Sequence, residues 1–443
     1  VVVTGAPEVT YGLGDRLAHY RTPGVSIAVA DSGRIAWARG YGVKEAGTAD
    51  SITPSTLFEA GSISKPVAAT VMLRLVDQGK LSLDENVNTY LESWKVPDNR
   101  FTAAEKVTLR RLVSHNAGLT VHGFPGYKTT DSIPTVPQVL DGAKPANTAA
   151  VRVDTFPGAI WRYSGGGTTV MQLLLADVTG TPFATLAKQL VFDPVGMTAS
   201  TYEQPIPASR VVETSAAHKQ DGSMVPGRWH VYPEMAAAGL WTNPTELLEW
   251  AIAIAESRAG KPQSLLSQSL ATEMLTVQKG PTGLGPFLEG TGRAFNFGHG
   301  GADEGFHASL VYFPETGQGA AVMVNGDGGP PMMQEILYAI AAEYAWPEYG
   351  PRQIEALALD SAAVDRVLGS YEATKPVPVT ITVSRESGKV YVHSQFNPKS
   401  EAVFTAPDSL VLLEGGFQLT FHADPSGRVT AASAGPFRLT RRP

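Results

Sequence analysis

Apolar and polar positions along this chain follow two rhythms. Residues 23–43 (PGVSIAVADSGRIAWARGYGV) run or alternate apolar on either side of Asp31, Ser32 and Gly33, which predicts two strands joined by a turn. Over 64–79 the period becomes helical, with Val67, Val71 and Leu75 on one face and Gly79 as the stop. Further helical pieces are predicted at 108–113, at 169–179 ending on Gly180, at 181–192, and at 245–256 after Thr242, Asn243 and Pro244. Strands return at 306–313 and 319–325 around a turn of Pro314, Glu315, Thr316 and Gly317, and a helix over about 332–345 follows.

Beyond the Pro- and Gly-bearing stretch 346–352 the pattern changes again. VTITV, KVYVHS, SLVLL, FQLTFHAD, RVTAAS and FRLT read as short strands, separated by turns such as Ser387-Gly388, Pro425-Ser426-Gly427 and Gly435-Pro436. That spacing predicts a small antiparallel sandwich or barrel. The expected organisation is a first domain over 1–345, a linker over 346–352 and a β domain over 353–443. The fold class of the first is α/β in the α+β sense, an antiparallel sheet whose halves flank a mostly helical insertion at about 66–235.

Composition narrows the chemistry. The chain has 443 residues, 43% hydrophobic and 17% charged, with a net charge of −7 and scattered basic residues. A folded protein of two or three domains is expected, and nucleic acid is excluded as a partner because no basic stripe exists. The absence of cysteine removes thiolate nucleophiles, disulfides and Cys-ligated zinc. No apolar run approaches the roughly 18 residues of a membrane span. The opening Val1-Val2-Val3-Thr4 has no Met; it reads as a removed leader or a trimmed chain, with a periplasmic or secreted location expected and a cytoplasmic one left open.

Three segments carry candidate chemistry. In LFEAGSISKPVA (57–68) a strand-like piece ends at a glycine where a helix begins, so Ser62 and Lys65, three apart, share a face. A serine hydroxyl needs a nearby proton acceptor, and a lysine serves only when neutral, which burial favours. Of the fourteen lysines only Lys65 has a serine three positions earlier. Taken alone the pair reads more readily as a capping serine beside a solvated lysine. In PGAIWRYSGGGTT (157–169), Tyr163 precedes a run of three glycines that lets substrate or backbone approach closely; a packing aromatic beside a loop is the plain alternative. In AFNFGHGGADEGF (294–306), His299 is followed by Gly300 and Gly301, a place for backbone N–H groups to face a cleft, or an ordinary hairpin. His299 and His307 are eight apart and no H-E-x-x-H occurs, so a metal is poorly supported. No G-x-S-x-G, Walker A or G-x-G-x-x-G is present.

In combination these segments, with VTLRRLVSHNAGL, PVGMTAST and PEMAAAGLWTNPTELLEW, resemble the penicillin-recognising serine hydrolases. The class C β-lactamase-like branch, which includes D-peptidases, D-aminopeptidases and family VIII carboxylesterases, is the nearest match, over about 10–345. The resemblance implies Ser62 as acylated nucleophile, Lys65 as its base and Tyr163 as proton relay. It also implies an oxyanion hole of the Ser62 and Ala302 backbone N–H groups, with His299, Gly301 and Gly165 in the substrate-binding set. Where the family has Tyr-x-Asn, this chain has Tyr163-Ser164-Gly165, which puts efficient β-lactam or peptide recognition in doubt. A serine hydrolase of esters, small amides or peptides is expected, needing no metal or organic cofactor. A β-lactamase, a D-specific peptidase or amidase, and an idle β-lactam-binding sensor are its rivals. Loops 120–150 and 202–235 are expected to shape the pocket, the β domain resembles lipocalin-like modules, and a homo-oligomer is left open.

Overall fold

Ser32 and Gly33 take φ of 52° and 76°, the left-handed pair that a two-residue hairpin turn requires. They join β1 (Gly24–Asp31) to β2 (Arg34–Gly42). The computed structural model describes residues 1–7, 9–374, 378–394, 397–435 and 437–442; Pro436 of the expected Gly435-Pro436 turn lies outside them. Four strands from far along the chain complete the sheet: β3 (Phe287–Glu289), β4 (Asn296–Asp303), β5 (Phe306–Phe313) and β6 (Gln318–Val324). The order is β2-β1-β6-β5-β4-β3, antiparallel throughout. Two sheet halves thus flank the helical region. β1 is buried from Gly24 to Ala30, covered on both faces, which is why its arm runs apolar instead of alternating.

Five helices matter to the site. They are α1 (Ser64–Asp77), α2 (Gly165–Thr179), α3 (Met235–Ala238), α4 (Pro244–Arg258) and α5 (Pro330–Glu343). α4 starts where the sequence predicts, because the Asn243 side chain accepts from the Glu246 N–H at 3.0 Å with Pro244 in the first turn. α2 starts four residues before the expected 169. The three glycines form its first turn, capped by Ser164 Oγ accepting from Gly167 N–H at 3.0 Å. Glycine disfavours helix by about 1 kcal/mol per residue, but all three are buried and tertiary packing decides. The piece expected at 181–192 divides into a helix, Phe183–Ala187, and a wider turn, Lys188–Phe192. The core holds Phe58, Trp241, Trp250, Phe297 and Phe306, all fully buried, each contributing on the order of 2 kcal/mol or more by removal from water.

The chain divides into two units, 21–348 and 1–20 with 349–443. The first twenty residues, expected within the first domain, fall in the second unit. Val2 and Val3 pair in parallel with Gln353 and Ile354, and Arg16 bonds Glu414 at 2.9 Å. Polar, irregular sequence between these residues hides such long-range pairing. The rest of this unit is a closed up-and-down barrel. Its strands are β7 (Gly369–Ala373), β8 (Val379–Glu386), β9 (Lys389–Ser394), β10 (Asn397–Ala406), β11 (Ser409–Leu412), β12 (Gln418–Ala423), β13 (Val429–Ala434) and β14 (Phe437–Arg441). β7 and β10 are absent from the sequence reading; β10 opens on polar Asn397, Pro398, Lys399 and Ser400. Tyr371, Phe404, Leu410, Leu419, Phe421 and Leu439 fill the interior, as expected for eight strands. Among the described residues no single helix is long and apolar enough to cross a membrane.

Candidate active site

Ser62 lies in a single tight turn, Gly61–Ile63, immediately before α1. The first turn of α1 then brings Lys65 back over it, and Lys65 Nζ donates to Ser62 Oγ at 2.9 Å. A second bond, 2.8 Å to the Ala237 carbonyl, ties the amine to α3. That carbonyl is held by several contacts. Ala60 N–H donates to Leu240 O at 2.8 Å and Leu240 N–H to Ser64 Oγ at 3.0 Å. Gln172 of α2 clamps the start of α3, accepting from Ala236 N–H at 2.9 Å and donating to Pro233 O at 2.9 Å. The word PEMAAAGL therefore positions the lysine. Burial lowers the Lys65 amine from 10.5 to about 7, opposed by the charge of Asp303, so a neutral base is available near neutral pH.

Tyr163 stands over the same pair, with Lys65 Nζ 4.9 Å from its ring centroid. Burial pushes its phenol well above the usual range, with the Ser62 hydroxyl pulling slightly the other way. Burial thus favours the protonated phenol, which can relay a proton. Its ring sits in a cage: His115 at 4.3 Å, His122 at 4.8 Å, His299 at 6.0 Å, and Phe287 parallel within 9° at 6.2 Å. His115 accepts at Nδ1 from Ser164 N–H, 3.2 Å, which fixes the loop carrying Tyr163. Its imidazole is kept neutral first by burial, then by Lys65.

His299 comes to the site from β4 but brings no charge. Burial, then the Lys65 charge, lowers it from 6.5 to about 3. Its Nδ1 lies 2.5 Å from the Gly300 carbonyl, so Nδ1 carries the proton and buried Nε2 has no hydrogen-bond partner. It offers the site an acceptor and not a cation.

The backbones of 60–62 and 301–302 lie against each other. A Cβ on Gly301 would sit 1.9 Å from the Ala60 carbonyl oxygen and 3.3 Å from Ser62 N, and one on Gly61 would sit 2.4 Å from Ala302 N. This contact juxtaposes the Ser62 and Ala302 amides, the arrangement an oxyanion hole needs. Gly301→Ala should therefore lower kcat by about 10²-fold or more, since one such donor is worth that much. Ester turnover compared with the thermal midpoint checks this; wild-type kcat in the variant would show the two backbones are not held together.

A cavity of about 540 Å³ opens on Ser62 and Tyr163 and is walled by Trp161, Phe287, Pro330, Met333 and Leu337. His122, His299, Gly301, Ala302 and His307 also face it. Of the two loops expected to shape it, 120–150 contributes His122; 202–235 contributes no lining residue, and α5 takes that part. Gly165 is likewise not in the lining. A Cβ there would lie 3.1 Å from both the His122 carbonyl and Phe124 Cε2, so the 121–124 loop occupies the room a larger side chain would need. Val121 holds φ at 62°, strained for a β-branched residue, and turns the chain back over Gly165. Behind the lysine, Glu59, Glu234 and Asp303 are buried carboxyls, each raised by burial. Neither oxygen of Asp303 or Glu234 makes a full hydrogen bond. The sequence reading gives Glu59, Glu234, Asp303, Gln172 and His307 no part in catalysis, although the three acids lie within the quoted words; their burial, which sets them apart, comes from the fold.

A model of the beta-lactamase family matches residues 13–345. A D-aminopeptidase of Brucella anthropi is 23% identical over 316 residues, 70% of this chain and 58% of its own. The esterase EstB of Burkholderia gladioli is 28% identical over 190 residues, 41% of this chain and 47% of its own. The chain thus spans about half the length of these curated relatives. In structure, the octameric penicillin-binding protein homologue from Pyrococcus abyssi superposes with a TM-score of 0.66 at 21% identity, covering 97% of this chain and 98% of that one.

Proposed function

The chain belongs to the beta-lactamase family, and on that premise we propose that it is a serine hydrolase of small esters and amides working through a Ser62 acyl-enzyme. The observation that carries this is the 2.9 Å contact between Ser62 Oγ and an amine lowered to about 7. Lys65, in its neutral form, takes the Ser62 proton as Oγ attacks the carbonyl. The oxyanion develops between the Ser62 and Ala302 N–H groups, and Tyr163 passes the proton to the leaving group. Water then repeats the sequence on the acyl-enzyme. Burial favours the protonated form of Tyr163, which leaves Lys65 as the base.

Hydrolysis of p-nitrophenyl butyrate by the full chain tests this. Because Lys65 must be unprotonated, kcat/KM should rise with pH through about 7 and show no second limb from His299, which is already neutral. Glu234 is also raised to about 7, yet makes no bond to the reacting groups, so Glu234→Gln should leave the limb in place. A rate flat down to pH 5 would remove Lys65 as the base.

A further inference from the structure

The cavity has an aromatic end that the mechanism above leaves unused. Trp161 stands two residues before Tyr163, half-buried, with its ring centroid 6.5 Å from that of Phe287. Phe287 in turn lies parallel to Tyr163 within 9° at 6.2 Å. The three rings form one wall, and all of them face the cavity. Trp161 is also pinned from behind. Its Nε1 donates to Thr282 Oγ1 at 3.1 Å, and that buried hydroxyl donates towards the Ser114 and Lys279 carbonyls at 3.0 and 2.9 Å. Gly280 holds φ at 53°, and a Cβ there would meet the indole Cγ at 2.7 Å, so the 279–282 turn lies flush against the ring. A platform fixed in this way loses little freedom when a ligand settles on it.

The direction of proton transfer says which part of a substrate meets this wall. The leaving group must lie against Tyr163, which hands it the proton, and so beside Phe287 and Trp161. Phe287 belongs to β3, on one side of β4, whereas Met333 and Leu337 belong to α5, which packs on β5 and β6 beyond the other side. The aromatic end therefore takes the leaving group and the α5 end the acyl group. Among the described residues, no Lys, Arg, Asp or Glu lines the cavity, so no permanent charge there pairs with an ionised leaving group. Resting on the serine-hydrolase reading, we infer that Trp161 and Phe287 are the leaving-group subsite. They select esters and amides whose alcohol or amine carries a flat, uncharged aromatic ring.

In the step concerned, Ser62 Oγ bonds to the acyl carbon and the bond from that carbon to the leaving oxygen or nitrogen breaks. The leaving atom takes a proton through Tyr163 and departs as a neutral alcohol or amine; water then releases the acid from Ser62. A ring stacked on Trp161 and Phe287 holds the leaving atom against the Tyr163 hydroxyl while this happens. A saturated ring of the same size fills the space without the offset or edge-on ring contacts. A carboxylate in its place gives up its hydration for an apolar wall. Selection is thus exerted before the leaving group departs, and the acyl-enzyme that remains no longer feels it.

Butyrate esters of benzyl alcohol, cyclohexylmethanol and glycolate, with the full chain, distinguish the cases. All three pass through the same butyryl-enzyme, so differences in kcat/KM arise in acylation, where the leaving group is still present. The benzyl ester should exceed the cyclohexylmethyl ester by about 10-fold, the scale of two ring contacts, with the glycolate ester poorest. In Trp161→Ala, and separately in Phe287→Leu, the benzyl-to-cyclohexylmethyl ratio should fall by about 3-fold or more, and Trp161→Phe should restore most of it. Cyclohexylmethyl or glycolate esters cleaved as fast as the benzyl ester by the unmodified protein overturn the selectivity. So does an equal fall on the benzyl and cyclohexylmethyl esters in both variants, which would mark the two rings as structural only. A protein inert toward p-nitrophenyl butyrate overturns the hydrolase reading beneath it.

Discussion

Ser62→Ala should abolish turnover of p-nitrophenyl butyrate, with kcat/KM reduced by about 10⁴-fold or more, while the fold is kept. The hydroxyl accepts from Lys65 at 2.9 Å and no other group in the cavity is placed to replace it. Ser164 Oγ is committed to the Thr120 carbonyl and to Gly167 N–H, and Ser309, which also lines the cavity, is not hydrogen-bonded to an amine among the described residues. The truncation removes one atom from a half-buried position. The Ala60–Ser62 backbone keeps its packing on Gly301, and Lys65 keeps the Ala237 carbonyl. Circular dichroism and the thermal midpoint should therefore stay near those of the unmodified protein. A β-lactam or fluorophosphonate should add its mass to the native chain and not to the variant. Residual turnover above about a tenth of the native rate would move the nucleophile elsewhere, since such a residue is normally worth far more.

What the sequence disclosed and what it hid divide along one physical line. Ser62 and Lys65 were legible because their relation is local: one helical turn fixes it. The hairpin at Ser32-Gly33 and the caps at Asn243 and Gly180 are local for the same reason. Tyr163 and His299 could be named from the chemistry of their neighbours, but their nearness to Ser62 depends on β4 lying beside the 60–62 turn, which no spacing encodes. The remaining walls were invisible. Phe287, His307 and Met333 are ordinary residues until the sheet order and α5 place them around one cavity. Gln172 reads as a polar residue of an otherwise apolar helix and becomes meaningful only when its amide is seen clamping α3. Whether His299 offers a hydrogen bond or a charge was open in the sequence, because burial, which decides it, is a property of the fold. β10 was missed because its polar opening lacks the alternation of the strands around it.

Lys65→Met should both silence the enzyme and stabilise it in acid and neutral solution. Turnover falls by about 10³-fold or more, as expected when a serine loses its proton acceptor. Stability moves the other way because the native state holds this amine in a desolvated place. Its pKa drops from 10.5 in the unfolded chain to about 7 in the native one. At about 1.4 kcal/mol per unit, keeping the amine protonated in the native state below pH 7 costs on the order of 5 kcal/mol. Between about 7 and 10.5 the native state binds fewer protons than the unfolded one, so stability of the unmodified protein rises with pH across that window. Methionine fills a similar volume without charge, but it leaves the Ala237 carbonyl without its donor, a loss of about 1–3 kcal/mol. The variant should thus melt higher than the native protein at pH 6 and lower above pH 10, the two stability curves crossing between. Urea unfolding at a series of pH values checks this. Parallel curves would mean that Lys65 is not desolvated in the native state, and the source of a neutral base beside Ser62 would be lost with it.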